Sequence, residues 1–173
     1  MLSISPKAHI SSFADIEDSV RGSKIVIEDG ANIDSFVKIK AAGGEGDVHI
    51  GRNCSINSGV VIYIGNGVHI GIDVAIGANT TIAPTNHEFR DPDQPINQQR
   101  FLASRGGIIL EDDVWIGANC VLLDGTVMRR GSVLAAGSLV RHEVAPYSIN
   151  IGSPARSVGI RGRGRFALPQ AAE

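Results

Sequence analysis

The stretch "IGNGVHIGIDVAIGANTTIA", residues 64–83, places an isoleucine at every sixth position, at Ile64, Ile70, Ile76 and Ile82. A period of six is neither the 3.6-residue period of a helix nor the two-residue alternation of an ordinary strand. It is typical of short strands that alternate with tight turns, three strands to a coil. In such a coil the aliphatic side chain of each hexad points inward.

The same spacing extends over most of the 173-residue chain. Aliphatic hexad positions recur in residues 4–16, 27–39 and 50–62, and again in residues 110–140, "LEDDVWIGANCVLLDGTVMRRGSVLAAGSLV". A sandwich of amphipathic strands would require two-residue alternation and Asn-Gly hairpin turns. The single Asn-Gly pair, Asn66-Gly67, lies inside an unbroken hexad register. The spacing therefore predicts an all-β fold, a parallel β-helix whose coils stabilise one another by stacking.

Composition limits the class of protein. With 43% hydrophobic and only 5% aromatic residues, the core must consist of small aliphatic side chains. The net charge of −2 gives no basic field for nucleic acid, and no apolar run approaches the length of a membrane span. The start of the chain has no signal-peptide pattern, so we expect a cytoplasmic protein. Cys54 and Cys120 are expected to be small core residues. We expect one domain, residues 1–160, and a flexible tail, residues 161–173.

The hexad register is interrupted by residues 81–101, "TIAPTNHEFRDPDQPINQQRF". Long irregular loops in compact domains usually carry function. The sequence therefore predicts one long protruding loop, about residues 88–107, stiffened by Pro92 and Pro95, with His87 at its mouth. A shorter shift of register in "AAGGEGDV", residues 41–48, indicates a glycine-rich corner that bulges.

The order and spacing of these motifs resemble those of the hexapeptide-repeat acyltransferases, which are left-handed β-helix proteins that transfer acetyl groups from acetyl-CoA. The resemblance rests on "IGRNCSIN", "TNHEF", "GGIILEDDVWIGANCVLLDG" and "INIGSPARSVG". It is strongest with the O-acetyltransferases of maltose, galactosides, nodulation factors and polysaccharides. The resemblance implies a left-handed helix, acetyl-CoA as co-substrate, no metal, and a homotrimer with active sites at the subunit interfaces.

The resemblance also assigns residues to the acetyl-transfer site. His87 matches the family's catalytic histidine, and the near-neutral pKa of imidazole suits it to take a proton from an attacking hydroxyl. Asn57 matches an asparagine that binds the acceptor. Asn86 and Glu88 flank His87, and each either orients its imidazole or contacts the acceptor.

A second set of residues matches the coenzyme site of the family. Trp115 matches a tryptophan beside the acyl group and the pantetheine arm, and the backbone at Ala118 and Ala136 matches pantetheine contacts. Arg141 and Arg156 lie in the stretches that hold the adenosine phosphates, for which the forked guanidinium is well suited.

Other functions remain open on the sequence. A γ-class carbonic anhydrase-like zinc protein needs three converging imidazoles, and no two histidines here have the five-residue spacing of that class. A non-catalytic β-helix scaffold would lack acetyl-CoA binding. Among acyltransferases, the acceptor is a sugar, glycan or nucleotide sugar, with an antibiotic or an amino acid as alternatives. A carboxylate that binds sugar in relatives falls near Gly65, so the acceptor stays undetermined.

Overall fold

Three parallel β-sheets form the sides of a triangular prism in the computed structural model, which describes residues 1–163. The first sheet contains β1 (Leu2–Ile4), β4 (Ile25–Ile27), β7 (Val48–Ile50), β10 (Val68–Ile70), β13 (Ile108–Leu110), β16 (Thr126–Met128) and β19 (Glu143–Val144). The second contains β2 (His9–Ile10), β5 (Asn32–Ile33), β8 (Ser55–Ile56), β11 (Ala75–Ile76), β14 (Trp115–Ile116), β17 (Val133–Leu134), β20 (Ser148–Gly152) and β21 (Ala155–Ile160). The third contains β3 (Asp15–Ile16), β6 (Lys38–Lys40), β9 (Val61–Tyr63), β12 (Thr81–Ala83), β15 (Val121–Leu123) and β18 (Leu139–Val140).

The chain visits the three sheets in turn, and each circuit forms one coil of a left-handed β-helix. This confirms the predicted fold class. We call the turn from the first to the second sheet the first corner, the turn from the second to the third sheet the second corner, and the turn back to the first sheet the third corner.

Hexad side chains stack into continuous columns inside the prism. In the second sheet Ile33, Ile56, Ile76 and Ile116 are paired in register along four successive coils, and all are fully buried. Each such side chain contributes about 1.5–3 kcal/mol by leaving water. Because every coil repeats the same inward position, the core of residues 1–163 is a narrow aliphatic column, and no phenylalanine, tyrosine or tryptophan of these residues is buried in it.

The corners explain the recurrence of glycine and asparagine. At the second corner of four successive coils one residue has a left-handed backbone: Gly59, Asn79, Asn119 and Gly137 have φ of 72°, 58°, 56° and 70°. Glycine and asparagine adopt this conformation at low cost, so the chain turns sharply without strain. Phe36 occupies the same place in an earlier coil with φ of 64°.

An antiparallel hairpin of β20 and β21 ends the described part of the helix. Beyond it, the backbone N–H of Arg161 donates to the carbonyl of Tyr147 at 2.7 Å, and its guanidinium pairs with Asp113 at 2.8 Å. The remainder of the predicted tail, residues 164–173, lies outside the described residues. Within residues 1–163, no helix is long and apolar enough to cross a lipid bilayer.

Candidate active site

The long loop leaves the prism at the third corner, between β12 and β13, and comprises residues 84–107. Two backbone hydrogen bonds join its ends, from the N–H of Leu102 to the carbonyl of Asn86 at 2.8 Å and from the N–H of Glu88 to the carbonyl of Arg100 at 3.1 Å. His87 and Phe101 face each other between these bonds as an antiparallel bridge. The predicted loop is therefore present, and it begins four residues earlier than expected.

The tip of the loop is organised by one side chain, Gln99, and by a 3₁₀ turn at Ile96–Gln98. The side-chain N–H₂ of Gln99 donates to the carbonyls of Asp91 and Gln94 at 2.8 and 2.6 Å, and its oxygen accepts the N–H of Asp91 at 3.1 Å. These bonds tie Asp91 and Gln94 to Gln99 across the tip of the loop.

His87 is exposed at the base of this loop. Its imidazole packs against the ring of Phe101 with the ring centroids 4.7 Å apart and the planes inclined by 45°. The imidazole is thus open to a reactant on one side and held by an aromatic ring on another.

Glu88, which was expected to orient His87 or to contact the acceptor, is bound within its own segment. Its Oε1 accepts the N–H groups of Phe89 and Arg90 at 2.9 and 3.0 Å and Nε of Arg90 at 2.8 Å. Its Oε2 accepts Nη2 of Arg90. The hydrogen bonds from Arg90 are the main reason that the pKa of Glu88 falls to about 2. The carboxylate therefore stabilises the first turn of the loop.

A cavity of about 300 Å³ lies under the loop. It is lined by apolar and polar side chains of the loop and of the neighbouring coils: Asn86, Phe89, Leu102, Arg105, Leu123, Asp124 and Arg141. Asp124 is buried and accepts the backbone N–H groups of Arg105 at 2.8 Å and Gly107 at 2.9 Å. This carboxylate fixes the path by which the loop returns to β13, so it also fixes where Arg105 emerges.

A basic groove of about 550 Å³ adjoins this cavity. It is lined by Arg105, Arg141, His142, Pro154 and Arg156, and it shares Arg105 and Arg141 with the cavity under the loop. Of the cations expected at the coenzyme phosphates, Arg141 and Arg156 do come together here. The sequence did not predict Arg105 as a site residue, because it lies in the irregular end of the loop, where no period marks it.

The remaining predicted residues lie elsewhere on the prism. Trp115 is on the outer face of the second sheet with 54% of its surface exposed. Ala118, Ala136 and Asn57 follow at the second corner, where the N–H of Gly137 donates to the carbonyl of Ala118 at 2.9 Å. A single chain therefore presents the predicted residues as two groups, one at the loop and the third corner, the other on the second sheet and its corner.

A larger cavity, of about 780 Å³, runs along the first corner and contains none of the predicted residues. The imidazoles of His49 and His69 stack there at 4.9 Å, and Nε2 of His49 lies 3.0 Å from a carboxylate oxygen of Glu28. Among residues 1–163, no three His, Cys, Asp or Glu side chains are grouped as a metal site.

The two cysteines are buried, as expected of small core residues. Burial raises the pKa of Cys54 to about 11 and also raises the pKa of Cys120. Because the thiolate is the nucleophile, neither side chain is suited to carry an acyl group.

Comparison with known proteins identifies several similar sequences. The family described as the hexapeptide repeat of succinyl-transferase matches residues 107–141. An Escherichia coli protein named for O-acetyl transfer in lipopolysaccharide biosynthesis, WbbJ, is 30% identical over 136 residues, which are 75% of this chain and 69% of that protein. The galactoside O-acetyltransferase of Escherichia coli is 31% identical over 116 residues, which are 65% of this chain and 53% of the relative. The chain thus spans about half the length of that relative.

A solved structure has the same fold. A variant of AntD, an N-acyltransferase from Bacillus cereus in complex with dTDP and Coenzyme A, superposes with a TM-score of 0.76 and 25% identity. The superposition covers 94% of this chain and 84% of that one.

Proposed function

Because the chain belongs to the hexapeptide-repeat acetyltransferase family, we propose that it transfers an acetyl group from acetyl-CoA to a hydroxyl of a sugar, glycan or nucleotide sugar, with His87 as general base. One observation carries the proposal: the exposed imidazole at the loop base adjoins Asn86, whose cavity continues into a groove lined by three arginines. The proximity of this imidazole to a cluster of arginine side chains supports a site that combines a base with a coenzyme phosphate.

The chemistry assigned to His87 is proton transfer. A hydroxyl is too weak an acid to attack a thioester as an anion near neutral pH, so a base must take its proton as the new C–O bond forms. The neutral imidazole of His87 accepts that proton, and the imidazolium then returns it to the thiolate as the C–S bond breaks. Direct transfer agrees with the burial of Cys54 and Cys120, which leaves no activated thiol to form an acyl-enzyme.

The basic groove is the proposed place for the coenzyme phosphates. Arg105, Arg141 and Arg156 supply forked donors that match phosphate oxygens, and His142 lies beside them. The AntD variant, of the same fold, was solved with Coenzyme A, which supports a coenzyme of this class.

The names of the relatives indicate two kinds of acceptor group, a hydroxyl and an amine. The two Escherichia coli relatives are named for O-acetyl transfer, and AntD is an N-acyltransferase. We favour a hydroxyl because both Escherichia coli relatives, at 31% and 30% identity, are named for O-acetyl transfer, whereas the AntD variant is 25% identical. A screen of sugars, nucleotide sugars, polysaccharides and their amino-sugar counterparts for acetyl-CoA-dependent release of thiol identifies the acceptor. Faster release with the amines than with the hydroxyls would replace the O-acetyl proposal.

We further propose that the complete site forms between two chains of a homotrimer. Trp115, Ala118 and Ala136 lie on the second sheet and its corner, whereas His87 lies at the third corner of the same chain. Around a three-fold axis, the second sheet of one chain is able to face the loop of the next, and one site would then take residues from both.

The role of His87 is tested by replacing it with alanine. We expect kcat to fall by about 10²- to 10⁴-fold, the usual contribution of a general base. The dissociation constant for acetyl-CoA, measured by calorimetry, should stay unchanged because the arginine groove is intact. His9→Ala, an exposed histidine of the first coil, is the matched control. Equal activity of the two variants would contradict the proposal.

Sharing of the site is tested by complementation. Chains carrying His87→Ala and chains carrying Trp115→Ala are co-expressed with different tags, and oligomers that hold both are purified. In a mixed trimer about one site in three would combine an intact His87 with an intact Trp115 from the next chain, so activity should reappear. If both residues act within one chain, the mixed oligomers will be no more active than the parent variants.

A further inference from the structure

We propose that Phe101 is a positioning residue for His87, and that its ring holds the imidazole in the orientation in which it accepts a proton. The inference rests on the proposed role of His87 as general base. It assigns a function to a side chain that the hexad pattern and the motifs do not single out.

The backbone places the two rings side by side. Hydrogen bonds from Leu102 to Asn86 and from Glu88 to Arg100 fix the register of the two chain segments at the loop base. In that register His87 lies directly opposite Phe101. Side chains of directly opposed residues project to the same side and are close enough to touch. The contact between the rings is therefore built into the closure of the loop.

Phe101 is itself supported from behind by the glycine-rich turn of residues 41–46. A Cβ atom added at Gly43 would lie 3.3 Å from Cζ of Phe101 and 3.0 Å from the hydroxyl oxygen of Thr85. Gly43 also has φ of 82°, in the left-handed region that favours glycine. The tip of the phenyl ring thus lies against bare backbone at Gly43, while 43% of the Phe101 surface stays exposed. The bulging corner of "AAGGEGDV" therefore contacts the ring that packs on His87.

The carboxylate of Glu88, next to His87 in sequence, does not orient the imidazole. Glu88 directs both of its oxygens to Arg90 and to the backbone of its own turn. A histidine general base is usually held by a hydrogen-bonded partner that fixes its ring. In this loop the contact with Phe101, at 4.7 Å between centroids and a 45° tilt, lies within the range in which aromatic pairs attract.

A positioning role and a merely structural role make different predictions for kinetics. Loss of the ring should let the imidazole sample unproductive rotamers, so kcat should fall while the KM for acetyl-CoA stays near its original value. A structural role in the loop should change KM as well, because Arg105 lies on the returning segment of the same loop. Aromatic pairs of this kind correspond to an effect on kcat of about three- to tenfold.

The contact itself is tested by NMR, independently of any acceptor. In protein with ¹³C-labelled histidine, the imidazole protons of His87, assigned by their loss in His87→Ala, should show an upfield ring-current shift. Phe101→Leu and Phe101→Met both remove the ring and fill different volumes, so both should abolish the shift. Phe13→Leu, which removes an exposed ring that packs on Phe36, is the matched control and should leave the shift unchanged. A His87 spectrum that is the same in all three variants would overturn the proposal.

The kinetic test uses the acceptor identified by the screen, with thermal unfolding to confirm that the variants are folded. We expect Phe101→Leu and Phe101→Met to lower kcat by about three- to tenfold with little change in KM for acetyl-CoA, and Phe13→Leu to have no effect. If His87→Ala abolishes turnover but both Phe101 variants keep full kcat, the positioning role is wrong and the general base stands. If His87→Ala keeps full turnover, the proposed function itself fails.

Discussion

The carboxylate of Asp124 accepts the backbone N–H of Gly107 at 2.9 Å, across 17 residues of sequence. The same carboxylate accepts the N–H of Arg105 at 2.8 Å. One buried side chain at the third corner thus holds the end of the loop, and with it one of the cations of the basic groove.

Replacing Asp124 with asparagine should destabilise the protein. The amide presents one oxygen and two donors, so at least one of the two backbone N–H groups loses its charged acceptor in a buried place. We expect a loss of about 2 kcal/mol in the free energy of unfolding, measured in urea, and faster hydrogen exchange at Arg105 and Gly107. Asp93→Asn, in the exposed part of the loop, should change stability by less than about 0.5 kcal/mol. Similar unfolding curves for the two variants would show that Asp124 does not anchor the loop.

The basic groove gives a prediction for coenzyme binding. Replacing Arg105 or Arg141 with glutamine should raise the dissociation constant for acetyl-CoA by about tenfold, because a hydrogen bond to a charged phosphate is lost. Salt should weaken the binding of acetyl-CoA to the unaltered protein more than to either variant, since screening acts on the charge that the variants lack. Calorimetry at two salt concentrations measures both effects.

Arg130→Gln is the control for the groove. Arg130 is also an exposed arginine, but it lies at the first corner near Asp112, at 3.9 Å. Its replacement should leave the affinity for acetyl-CoA unchanged. An affinity that falls equally in all the arginine variants would indicate a general effect of net charge and would remove the groove from the proposed coenzyme site.

The pairing of Glu88 with Arg90 predicts an unusual titration. The pKa of Glu88 lies near 2, below the ordinary value of 4.5, so the carboxylate should stay charged through mild acid. The pKa in the folded protein is depressed, so the stabilisation is fully present above about pH 4.5 and is lost as the pH falls toward 2. NMR of the Glu88 carboxyl carbon measures the midpoint. In Arg90→Gln the midpoint should rise toward 4.5, and an unchanged midpoint would show that Arg90 is not the cause.

The stacked histidines of the first sheet, His49 in β7 and His69 in β10, predict a pH dependence of stability near neutrality. Partial burial, and then the nearby His49, lower the pKa of His69 below 6.5, although the carboxylates of Asp112 and Glu28 oppose this. The unfolded chain therefore binds a proton more readily, and stability should fall as the pH decreases below about 6.5. We expect His69→Gln to flatten the curve of melting temperature against pH between about 7.5 and 5.5. His9→Gln should leave the curve as it is; a parallel curve for His69→Gln would refute the linkage.

The fold was predictable because it is local and repeated. Each hexad contains an aliphatic residue that is buried, such as Ile76, and many corners contain a residue that turns the chain with a left-handed backbone, such as Asn79. Because the pattern repeats from coil to coil, the coils stack in register. Isolated deviations are tolerated, as Phe36 shows with φ of 64° where the four following coils have glycine or asparagine.

The candidate site was predictable only in part. Resemblance to a family singled out His87, Trp115 and the arginines, but the roles open to Glu88 depended on which partner it meets, and it meets Arg90. Arg105 and Phe101 lie in a segment without a period, so nothing in their spacing indicates what they contact. Their neighbours are set by how the loop closes.

The sequence by itself determined the β-helix, its inward-facing residues, its corners and the presence of one long loop, because these follow from a six-residue period and from its interruption. Only the tertiary structure decided that Phe101 packs on His87, that Gly43 backs Phe101, and that Arg105 joins Arg141 and Arg156. These contacts join two irregular segments, or one irregular segment and a distant coil. Each depends on side-chain hydrogen bonds and on space between parts of the chain that are far apart in sequence, which no local pattern records.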